Sequence, residues 1–400
     1  MYHITLPFIV SDHIDVRCVT HSSNKQQYVI ANYTQETDTL TDTYGKYRSV
    51  IVNPQSNQIV GFSPPTSFSL DGFVQRMNQN PFVVEELVDG IMINVAWDST
   101  VNDWIISTKR TVDAANSFIR IDNTTPPQLL FIDMFMEALA QHMVSLDTLS
   151  KQYLYSFVMR HPANRIVTPV IKPLLYLVRV YEVNTCDTAS SDEEYTIVQQ
   201  DEPLSHSYVI TEVDIREYNR DYRLGFLGTV YFPIRISQPI DSTIKSIADN
   251  YVSDRGFHER GISIYCPQTG MRTSIVNPEY EYVSNISGNL SNLEHKYITL
   301  VQSGNITLYL YYYPEHASVF NMFSIRIKRI VSQLYLAYVD CFIKKKLHIT
   351  YYSQPVKHHL YQLHCYYKTY LRPYKLFVTY ESVNMYTWSL PYHALASIPF

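Results

Sequence analysis

The chain has 400 residues, of which 46% are apolar and 17% are charged, and its formal net charge is –5. This length allows two or three domains with buried cores, and the composition excludes disordered and fibrous proteins. The longest apolar stretch, 129–144, contains two acids and a histidine and is too short for a bilayer, which needs about 20 apolar residues. We therefore expect a globular protein that does not cross a membrane.

The N-terminus and the cysteines indicate a cellular compartment. Residues 1–10 contain no basic segment and no small-residue cleavage site, so we expect no secretory signal. The five cysteines are scattered and form no CxxC pair, which is typical of reduced thiols in an intracellular protein. The sequence therefore predicts a cytoplasmic protein.

The first 289 residues show strand patterns interrupted by one clear helix pattern. Alternating apolar residues predict strands, and apolar residues at three- and four-residue spacing predict the helix. An acidic segment rich in Ser and Thr is typical of a mobile loop. In chain order we predict a hairpin at 46–62, a hairpin at 91–108, a helix within 128–149, strands at 153–158 and 174–180, the loop at 186–204, and a strand at 261–265 followed by a turn and a short strand.

The last 111 residues have a different pattern. From about residue 317, apolar residues recur at helical spacing, which predicts one face of a long helix. The tyrosine-rich run 309–313 is typical of a half-buried strand, with stacking on bases as the alternative. We therefore predict an α+β body over 1–289 and a basic, mostly helical C-terminal domain over 290–400.

Charge is unevenly distributed between these two regions. Residues 290–400 hold 11 Lys and Arg but 4 acids, so they carry +7, whereas the remainder carries –12. A basic region on an acidic protein is the electrostatic footprint of a nucleic-acid contact, although a solvated basic surface is the alternative. Within it, Lys344, Lys345 and Lys346 are candidate RNA phosphate contacts, or else an exposed helix end.

Five sequence blocks carry a family resemblance over residues 44–280. They are Glu85-Glu86-Leu87-Val88-Asp89-Gly90, the segment 104–111, Tyr155-Ser156-Phe157 with 161–167 after it, the strand 175–181, and 260–264 with 270–278. In order and spacing these blocks resemble the RNA ligases of the T-even phage type, which repair cleaved tRNA. They look closest to the RNA ligases and degenerate homologues of large cytoplasmic DNA viruses. The resemblance implies a nucleotidyltransferase (ATP-grasp-like) ligase domain followed by a helical domain.

The resemblance also implies a chemistry. In that family a KxDG lysine attacks the α-phosphate of ATP, and AMP then passes to an RNA 5′-phosphate before a 3′-hydroxyl displaces it. Acidic residues bind the ribose and a metal ion, and lysines of a KxK strand neutralise phosphate charge. An active member would therefore use ATP and Mg²⁺ as cofactors and RNA ends, for example of tRNA, as substrate.

This chain departs from the family at its charged catalytic positions. Leu87 occupies the nucleophile position, and a leucine has no lone pair with which to attack phosphorus. Ser156 and Arg260 occupy two glutamate positions, while Ser274 and Val276 occupy the KxK positions. We therefore predict no certain catalytic residue, no metal ligand and no catalysis, so that no cofactor would be needed.

Other positions keep the family's residue types. Asp89, Gly90, Arg48, Lys109 and Arg165 are the nucleotide-pocket candidates that the resemblance provides. Asp89 is more typical of a structural role, and the Asp-Gly pair also keeps a tight turn. Arg48 and Lys109 could be ordinary exposed charges, and Arg165 could hold a loop by pairing with an acid.

Three functions remain open on the sequence. The first is an inactive pseudo-ligase that binds RNA ends. The second is an active ATP-dependent RNA ligase in which another lysine, such as Lys109, replaces the nucleophile. The third is a structural or host-interaction protein on the same fold, with a protein partner. His358, His359, His364 and Cys365 lack a second half of a zinc site, and we expect the histidines on the polar face of a helix.

Overall fold

The computed structural model describes residues 1–8, 11–34, 37–77, 80–117, 119–121, 129–186, 206–222, 230–237, 243–251 and 255–399. The chain divides into two compact units. The first consists of Met1–Phe118 and Gln128–Asn285, and the second consists of Ile119–Pro127 and Ile286–Phe400.

The first unit is a mixed α/β structure with antiparallel strand pairing between its sheet neighbours. Its described strands are β1 (Tyr2–Leu6), β2 (Ile14–Thr20), β3 (Gln27–Tyr33), β4 (Val50–Val52), β5 (Ile59–Phe62), β6 (Val83–Glu86), β7 (Ile91–Asp98), β8 (Asp103–Ser107), β9 (Tyr153–Arg160), β10 (Leu174–Cys186), β11 (His206–Val213), β12 (Gly261–Tyr265) and β13 (Arg272–Val276). Its described α-helices are α1 (Asp38–Tyr44), α2 (Leu70–Arg76), α3 (Phe131–Gln141), α4 (Ile215–Tyr222) and α5 (Ile244–Tyr251), and α6 (Pro278–Ser287) runs into the second unit.

These strands form three sheets. The largest has the order β1-β11-β10-β9-β7-β8, a second has the order β2-β3-β4-β5, and the smallest has the order β13-β12-β6. All pairs within them are antiparallel, with β12 between β13 and β6 in the smallest sheet. We call the largest and the smallest the six-stranded and the three-stranded sheet.

One face of the six-stranded sheet packs on an apolar core with α3, and the other face, which carries both polar and apolar residues, is called the polar face here. On β9, Tyr155, Phe157 and Met159 pack into the core together with buried residues of α3. Ser156 and Val158 alternate with them and therefore lie on the opposite face, because successive strand residues point to opposite sides. The same alternation places Met92 of β7 on that opposite face.

A β-bulge in β10 changes which face its arginine occupies. The pairing with β9 shifts between Leu177 and Arg179, so Val178 is the extra residue. Without the bulge, Arg179 would follow Leu177 into the apolar core, since residues two apart share a face. With it, Val180 joins the core instead and Arg179 lies on the polar face.

Several predicted elements of the first unit are confirmed. β7 and β8 form the hairpin at 91–108, β9, β10, β12 and β13 lie where strands were predicted, and α3 forms the central part of the predicted helix. The hairpin at 46–62 is only partly right. Gly45–Arg48 is a 3₁₀ helix, and only Val50–Val52 and Ile59–Phe62 pair as strands. Of the predicted loop, Cys186 ends β10, and 187–204 lie outside the described residues.

The second unit is helical wherever it is described in regular structure. Its helices are α7 (Leu293–Gln302), α8 (Ile306–Tyr312), α9 (Ala317–Tyr338), α10 (Gln354–Tyr366), α11 (Tyr380–Trp388) and α12 (Tyr392–Ala396). The predicted long helix is confirmed as α9, whose residues Phe320, Phe323, Ile327, Ile330 and Leu334 are buried at three- and four-residue spacing. In the described ranges, no helix combines the length and hydropathy that a membrane crossing requires.

Two predictions for the second unit are wrong. The run 309–313 is not a strand, because Ile306–Tyr312 is helical and the rings of Tyr309 and Tyr313 stack one helical turn apart, with centroids 4.8 Å apart. Both rings are buried, which is why tyrosine content alone misled the strand prediction. His359 is also not on a polar face: it is buried on α10, and its Nδ1 is 2.7 Å from the Tyr386 hydroxyl.

Candidate functional site

Strand β6 forms one wall of a cavity between the three-stranded sheet and the polar face of the six-stranded sheet. Glu85 of β6 pairs with Ser263 of β12, and Ser263 pairs with Ser274 of β13. These three side chains therefore form one row across the sheet. The cavity has a volume of about 330 Å³, within the usual range for small-ligand sites. We call it the β6 cavity. Its charged lining residues are Arg48, Glu85, Glu86, Arg179, Arg260 and Arg272, and its apolar ones include Leu87, Met92, Val158, Val178 and Val276.

The β6 cavity brings together many of the residues that the family resemblance singled out. Arg48 comes from the 3₁₀ helix before β4, whereas Arg260 precedes β12 and Ser274 lies on β13. Although they are far apart in sequence, one cavity contains them. The predicted residues that line it are Arg48, Leu87, Gly90, Arg260, Ser274 and Val276.

Leu87 follows β6 directly and lies on the cavity wall. Its backbone N–H donates to the Gly261 carbonyl at 2.9 Å, so the segment continues alongside β12. The described residues that line the cavity include no lysine, histidine or cysteine. The side chain at position 87, which the family resemblance assigns to the nucleophile, therefore presents only hydrocarbon to the cavity.

Asp89 and Gly90 stabilise the turn after Leu87. Asp89 is buried, and its carboxylate accepts hydrogen bonds from the Tyr280 hydroxyl at 2.5 Å and the Thr168 backbone N–H at 3.1 Å. Gly90 has a φ of +145°, and a Cβ there would lie 2.4 Å from the Met159 carbonyl oxygen. Asp89 does not line the β6 cavity, and its carboxylate holds the loop at Thr168 and the hydroxyl of Tyr280.

Three other predicted residues lie outside the cavity lining. Ser156 is fully buried, and its hydroxyl donates its single proton to Asn94 Oδ1 at 2.8 Å, with the Phe62 carbonyl oxygen 3.3 Å away. The backbone carbonyl of Lys109 accepts from Asn32 Nδ2 at 3.0 Å, so Lys109 belongs to a turn beside the four-stranded sheet. Arg165 Nε donates to the Val167 carbonyl at 2.9 Å and thereby shapes its own loop.

The sequence did not identify a buried ionic network at the cavity. Arg179 contacts Glu85 through one guanidinium nitrogen, and its Nε lies 2.9 Å from Glu212. Arg272 binds the other Glu212 oxygen at 2.9 Å and the Tyr2 hydroxyl at 3.1 Å. Each of the two arginines is therefore paired with a carboxylate in a place where water is largely excluded.

Electrostatics keep both buried arginines charged. Burial alone would lower the pKa of Arg179, but the carboxylates of Glu85 and Glu212 outweigh it and hold that pKa above its ordinary value. Burial likewise opposes the charge of Arg272, whose pKa is nevertheless raised by Tyr2, Tyr181 and Glu212. Burial raises the pKa of the Glu85 carboxyl, and Arg179 acts against that rise.

A signal for this network is present in the sequence. Arg179 stands alone in the apolar run 174–181, and a lone charge in a buried strand requires a partner. Glu85 and Arg272 likewise belong to predicted motif blocks. The pairing itself was not predictable. Its four members belong to four different strands, and each is 33 to 94 residues from the next member along the chain.

The carboxylates at the cavity do not form a magnesium site. Glu85 and Glu212 are both engaged by buried arginines, which leaves Glu86 as the remaining carboxylate of the lining. Over the described ranges, no group of three His, Cys, Asp or Glu side chains is placed to hold a metal ion. The Mg²⁺ that the family resemblance implies would therefore find among the described residues a single cavity carboxylate outside an ion pair, Glu86, and no multidentate protein site.

The second unit carries a different charged surface. Between Asp340 and Glu381 there is no acidic residue, whereas seven Lys and Arg occur there: Lys344, Lys345, Lys346, Lys357, Lys368, Arg372 and Lys375. The predicted RNA contacts Lys344, Lys345 and Lys346 are all exposed, directly after a π-helical turn at Val339–Ile343. We call residues 341–380 the acid-free segment. Aromatic rings are exposed among its basic residues, at Tyr351, Tyr361, Tyr366, Tyr370, Tyr374 and Phe377.

Comparisons with known proteins return structural neighbours of low similarity. No protein-family model matches the chain, and no curated protein matches it. A solved archaeal ATP-dependent RNA ligase (form 1) aligns at 11% identity over 68% of this chain with a TM-score of 0.36, and this chain covers only 62% of that one. A second form of the archaeal ligase aligns at 12% identity over 78% of this chain and 76% of that chain, with a TM-score of 0.35. A putative ATP-dependent DNA ligase from Aquifex aeolicus aligns at 13% identity over 80% and 77% of the two chains, with a TM-score of 0.40.

Proposed function

We propose that this chain is a ligase-like protein that binds the 5′-phosphorylated end of RNA in the β6 cavity without forming a lysyl-adenylate. One observation carries the proposal: the cavity is lined by four arginines and, at the position that the family resemblance assigns to the nucleophile, by Leu87. Its described lining thus offers binding groups for a phosphate and no lysine to attack one. The proposal includes the narrower expectation of a pseudo-ligase of a large DNA virus that acts in the infected-cell cytoplasm.

The lining matches the two parts of a nucleotide. Guanidinium groups present several N–H donors in a plane, which suits phosphate oxygens better than a point charge does. Met92, Val158 and Val178 provide an apolar floor against which a base could lie. A terminal nucleotide would therefore place its phosphate at the arginines and its base on the strands.

Lys109 bears on the active-ligase alternative. A substitute nucleophile must reach the phosphate that the cavity holds, because covalent catalysis requires the reacting atoms to be about 3 Å apart. Lys109 does not line the cavity, but its backbone carbonyl and that of the cavity residue Arg48 accept hydrogen bonds from the same Asn32 amide, so the labelling assay below has to decide this alternative. If the chain were active, ATP and Mg²⁺ would be its cofactors.

The acid-free segment supports RNA as the partner. Exposed lysines and arginines without neighbouring acids attract phosphates, and exposed rings offer stacking surfaces for unpaired bases. A structural or host-interaction protein would need neither feature. RNA binding that weakens steeply with salt separates these alternatives.

The test is covalent labelling combined with an end-specific binding assay. Incubation with Mg²⁺ and α-labelled ATP should leave no AMP on the denatured wild-type protein, while an active ligase labels under the same conditions. A fluorescent single-stranded RNA should bind about tenfold more tightly with a 5′-phosphate than with a 5′-hydroxyl, the size expected of a charge-assisted hydrogen bond. Labelled wild-type protein would make the chain an enzyme, and equal binding of both RNAs would remove the cavity from RNA-end recognition.

Leu87→Lys is the informative variant in the labelling assay. We expect it to remain unlabelled, because Ser274 and Val276 still occupy the positions at which the family resemblance places phosphate-neutralising lysines, and no group of three metal ligands occurs among the described residues. Labelling of this variant alone would mean that Leu87 is the sole defect. Its 5′-phosphate preference serves as the folding control and should be at least as large as that of the wild type.

A further inference from the structure

We propose that the β6 cavity binds a terminal phosphate through permanently charged arginines and without a divalent cation, the reverse of the metal use that the family resemblance implies. This inference rests on the proposed function, since it concerns how the same cavity holds its ligand. It specifies the ligand class as a phosphate monoester at the end of a nucleic acid and excludes a metal–phosphate complex.

The first support is the buried arginine Arg272. Its side chain lines the cavity, the residue is 5% exposed, and its Nε–H has no hydrogen-bond partner among the described residues. A buried donor without a partner costs free energy, so such a group is usually satisfied by water or a ligand. A phosphate oxygen is, like a carboxylate oxygen, an acceptor that suits a guanidinium donor, and a small shift of the buried side chain would bring Nε–H to the cavity surface.

The second support is that arginines already engage the carboxylates that a metal would need. Arg179 contacts Glu85 directly, and both buried arginines contact Glu212. A divalent cation placed there would face two fixed positive charges at short range, with its preferred oxygen ligands already engaged. In this cavity the arginines supply the positive charge that the family resemblance assigns to a metal ion.

Glu86 makes the two modes of binding distinguishable. Among the described residues it is the cavity carboxylate without an arginine at ion-pair distance, although the charge of Arg160 acts on it, and the Ile234 nitrogen lies 3.5 Å from its Oε2. If arginines alone hold the phosphate, the Glu86 carboxylate only repels the ligand. If a metal ion bridges the protein and the phosphate, Glu86 is its anchor. Glu86→Gln therefore strengthens phosphate binding in the first case and weakens it in the second.

The experiment compares 5′-phosphate preference with and without metal. Binding of a short fluorescent single-stranded RNA with a 5′-phosphate, and of the same RNA with a 5′-hydroxyl, is measured by polarisation in MgCl₂ and in EDTA at matched ionic strength. The ratio of the two dissociation constants cancels the general effect of Mg²⁺ on RNA. Unlabelled ATP and a 5′-phosphorylated dinucleotide serve as competitors, which distinguishes a free nucleotide from an RNA end as the source of the phosphate.

We expect the preference to be unchanged in EDTA and to increase roughly two- to tenfold in Glu86→Gln. Glu217→Gln, an exposed residue of α4 outside the cavity lining, is the matched control for the loss of one negative charge and should leave the ratio unchanged. A preference that requires Mg²⁺, or that falls in Glu86→Gln, overturns this inference but leaves RNA-end binding in place. Absence of any preference in either buffer overturns the proposed function itself.

Discussion

The β6 cavity and the acid-free segment both carry concentrated positive charge, but they hold it in opposite ways. In the cavity, Arg179 and Arg272 are buried, paired with Glu85 and Glu212, and fixed in direction. In the acid-free segment, seven basic residues lie without a single acid between them, and Lys344, Lys345 and Lys346 are exposed. Charges that are buried and fixed in direction can select one phosphate by geometry. Exposed charges instead attract a whole polyanion, because its bound counterions are released into solution.

The comparison also separates stability from affinity. A buried charge that loses its partner destabilises the fold, whereas an exposed charge costs little to remove. Substitutions in the cavity should therefore change folding and end selectivity together. Substitutions in the acid-free segment should change RNA affinity while leaving folding intact.

The largest expected effect is on the cavity side of this comparison. Arg272→Met leaves the Glu212 carboxylate with one buried partner instead of two, and it leaves the Tyr2 hydroxyl without its guanidinium. We expect a loss of about 3–5 kcal/mol in the free energy of unfolding of the first unit. Urea unfolding followed by fluorescence in a Trp388→Phe background measures it, because Trp97 and Trp104 then report the first unit alone.

Arg372→Met in the acid-free segment is the matched control. The same arginine-to-methionine change at an exposed position should alter the free energy of unfolding by about 0.5 kcal/mol or less. Similar losses in the free energy of unfolding for the two variants would contradict this expectation, since burial would then not distinguish the two sets of arginines.

A buried lysine in the second unit extends this comparison, because none of the described carboxylates forms an ion pair with it. Lys296 is buried on α7, where its Nζ contacts Ser287 Oγ at 3.2 Å, and burial lowers its pKa to about 8. The unfolded chain binds this proton more tightly, so the stability of the second unit should rise as pH increases from about 8 towards 10. With about 1.4 kcal/mol per pKa unit, the full effect is roughly 3 kcal/mol.

Lys296→Met tests that rise directly. We expect the variant to gain roughly 1–3 kcal/mol in unfolding free energy at pH 7, because an apolar side chain replaces a buried charge. Its stability should also depend less on pH between 7 and 9.5, as followed by Trp388 fluorescence in urea. A wild-type protein whose second unit loses stability across that pH range would contradict the role of Lys296.

The smallest expected effect is on the exposed side. Replacing Lys344, Lys345 and Lys346 together by Ala should weaken single-stranded RNA binding about tenfold at moderate salt. The slope of log affinity against log salt should fall by up to about 2, since each released phosphate contact contributes about 0.7. The 5′-phosphate preference should stay the same. A reduced preference in this triple variant would mean that the lysines themselves contact the RNA end.

Much of the fold could be predicted from local patterns. The hairpin of β7 and β8 and the long helix α9 follow from alternation and helical spacing, which are properties of neighbouring residues. β1 pairs with β11, however, and such a long-range pairing leaves little local trace. Helix α8 was mistaken for a strand because buried tyrosines suit both structures.

The candidate site could be predicted where its residues belong to sequence blocks that follow one another in the expected order. Leu87, Gly90, Arg260 and Ser274 were identified by their places in ordered blocks, and one cavity contains them. Arg179 could not be assigned to the cavity in the same way, since strict alternation along β10 would place it in the apolar core. A one-residue bulge decides its direction, and sequence periodicity does not register a bulge.

The β-bulge determines which changes at Val178 the strand β10 should tolerate. Conservative replacement of Val178 should be mild, because the residue contributes one apolar side chain to the cavity floor. Deletion of the same codon would make Arg179 the direct successor of Leu177, so regular alternation would keep Leu177 in the core and Arg179 on the cavity face, still opposite Ser156 of β9. The direction of Arg179 therefore depends on its register with β9, and we expect the strand to keep that register after either substitution or deletion of Val178.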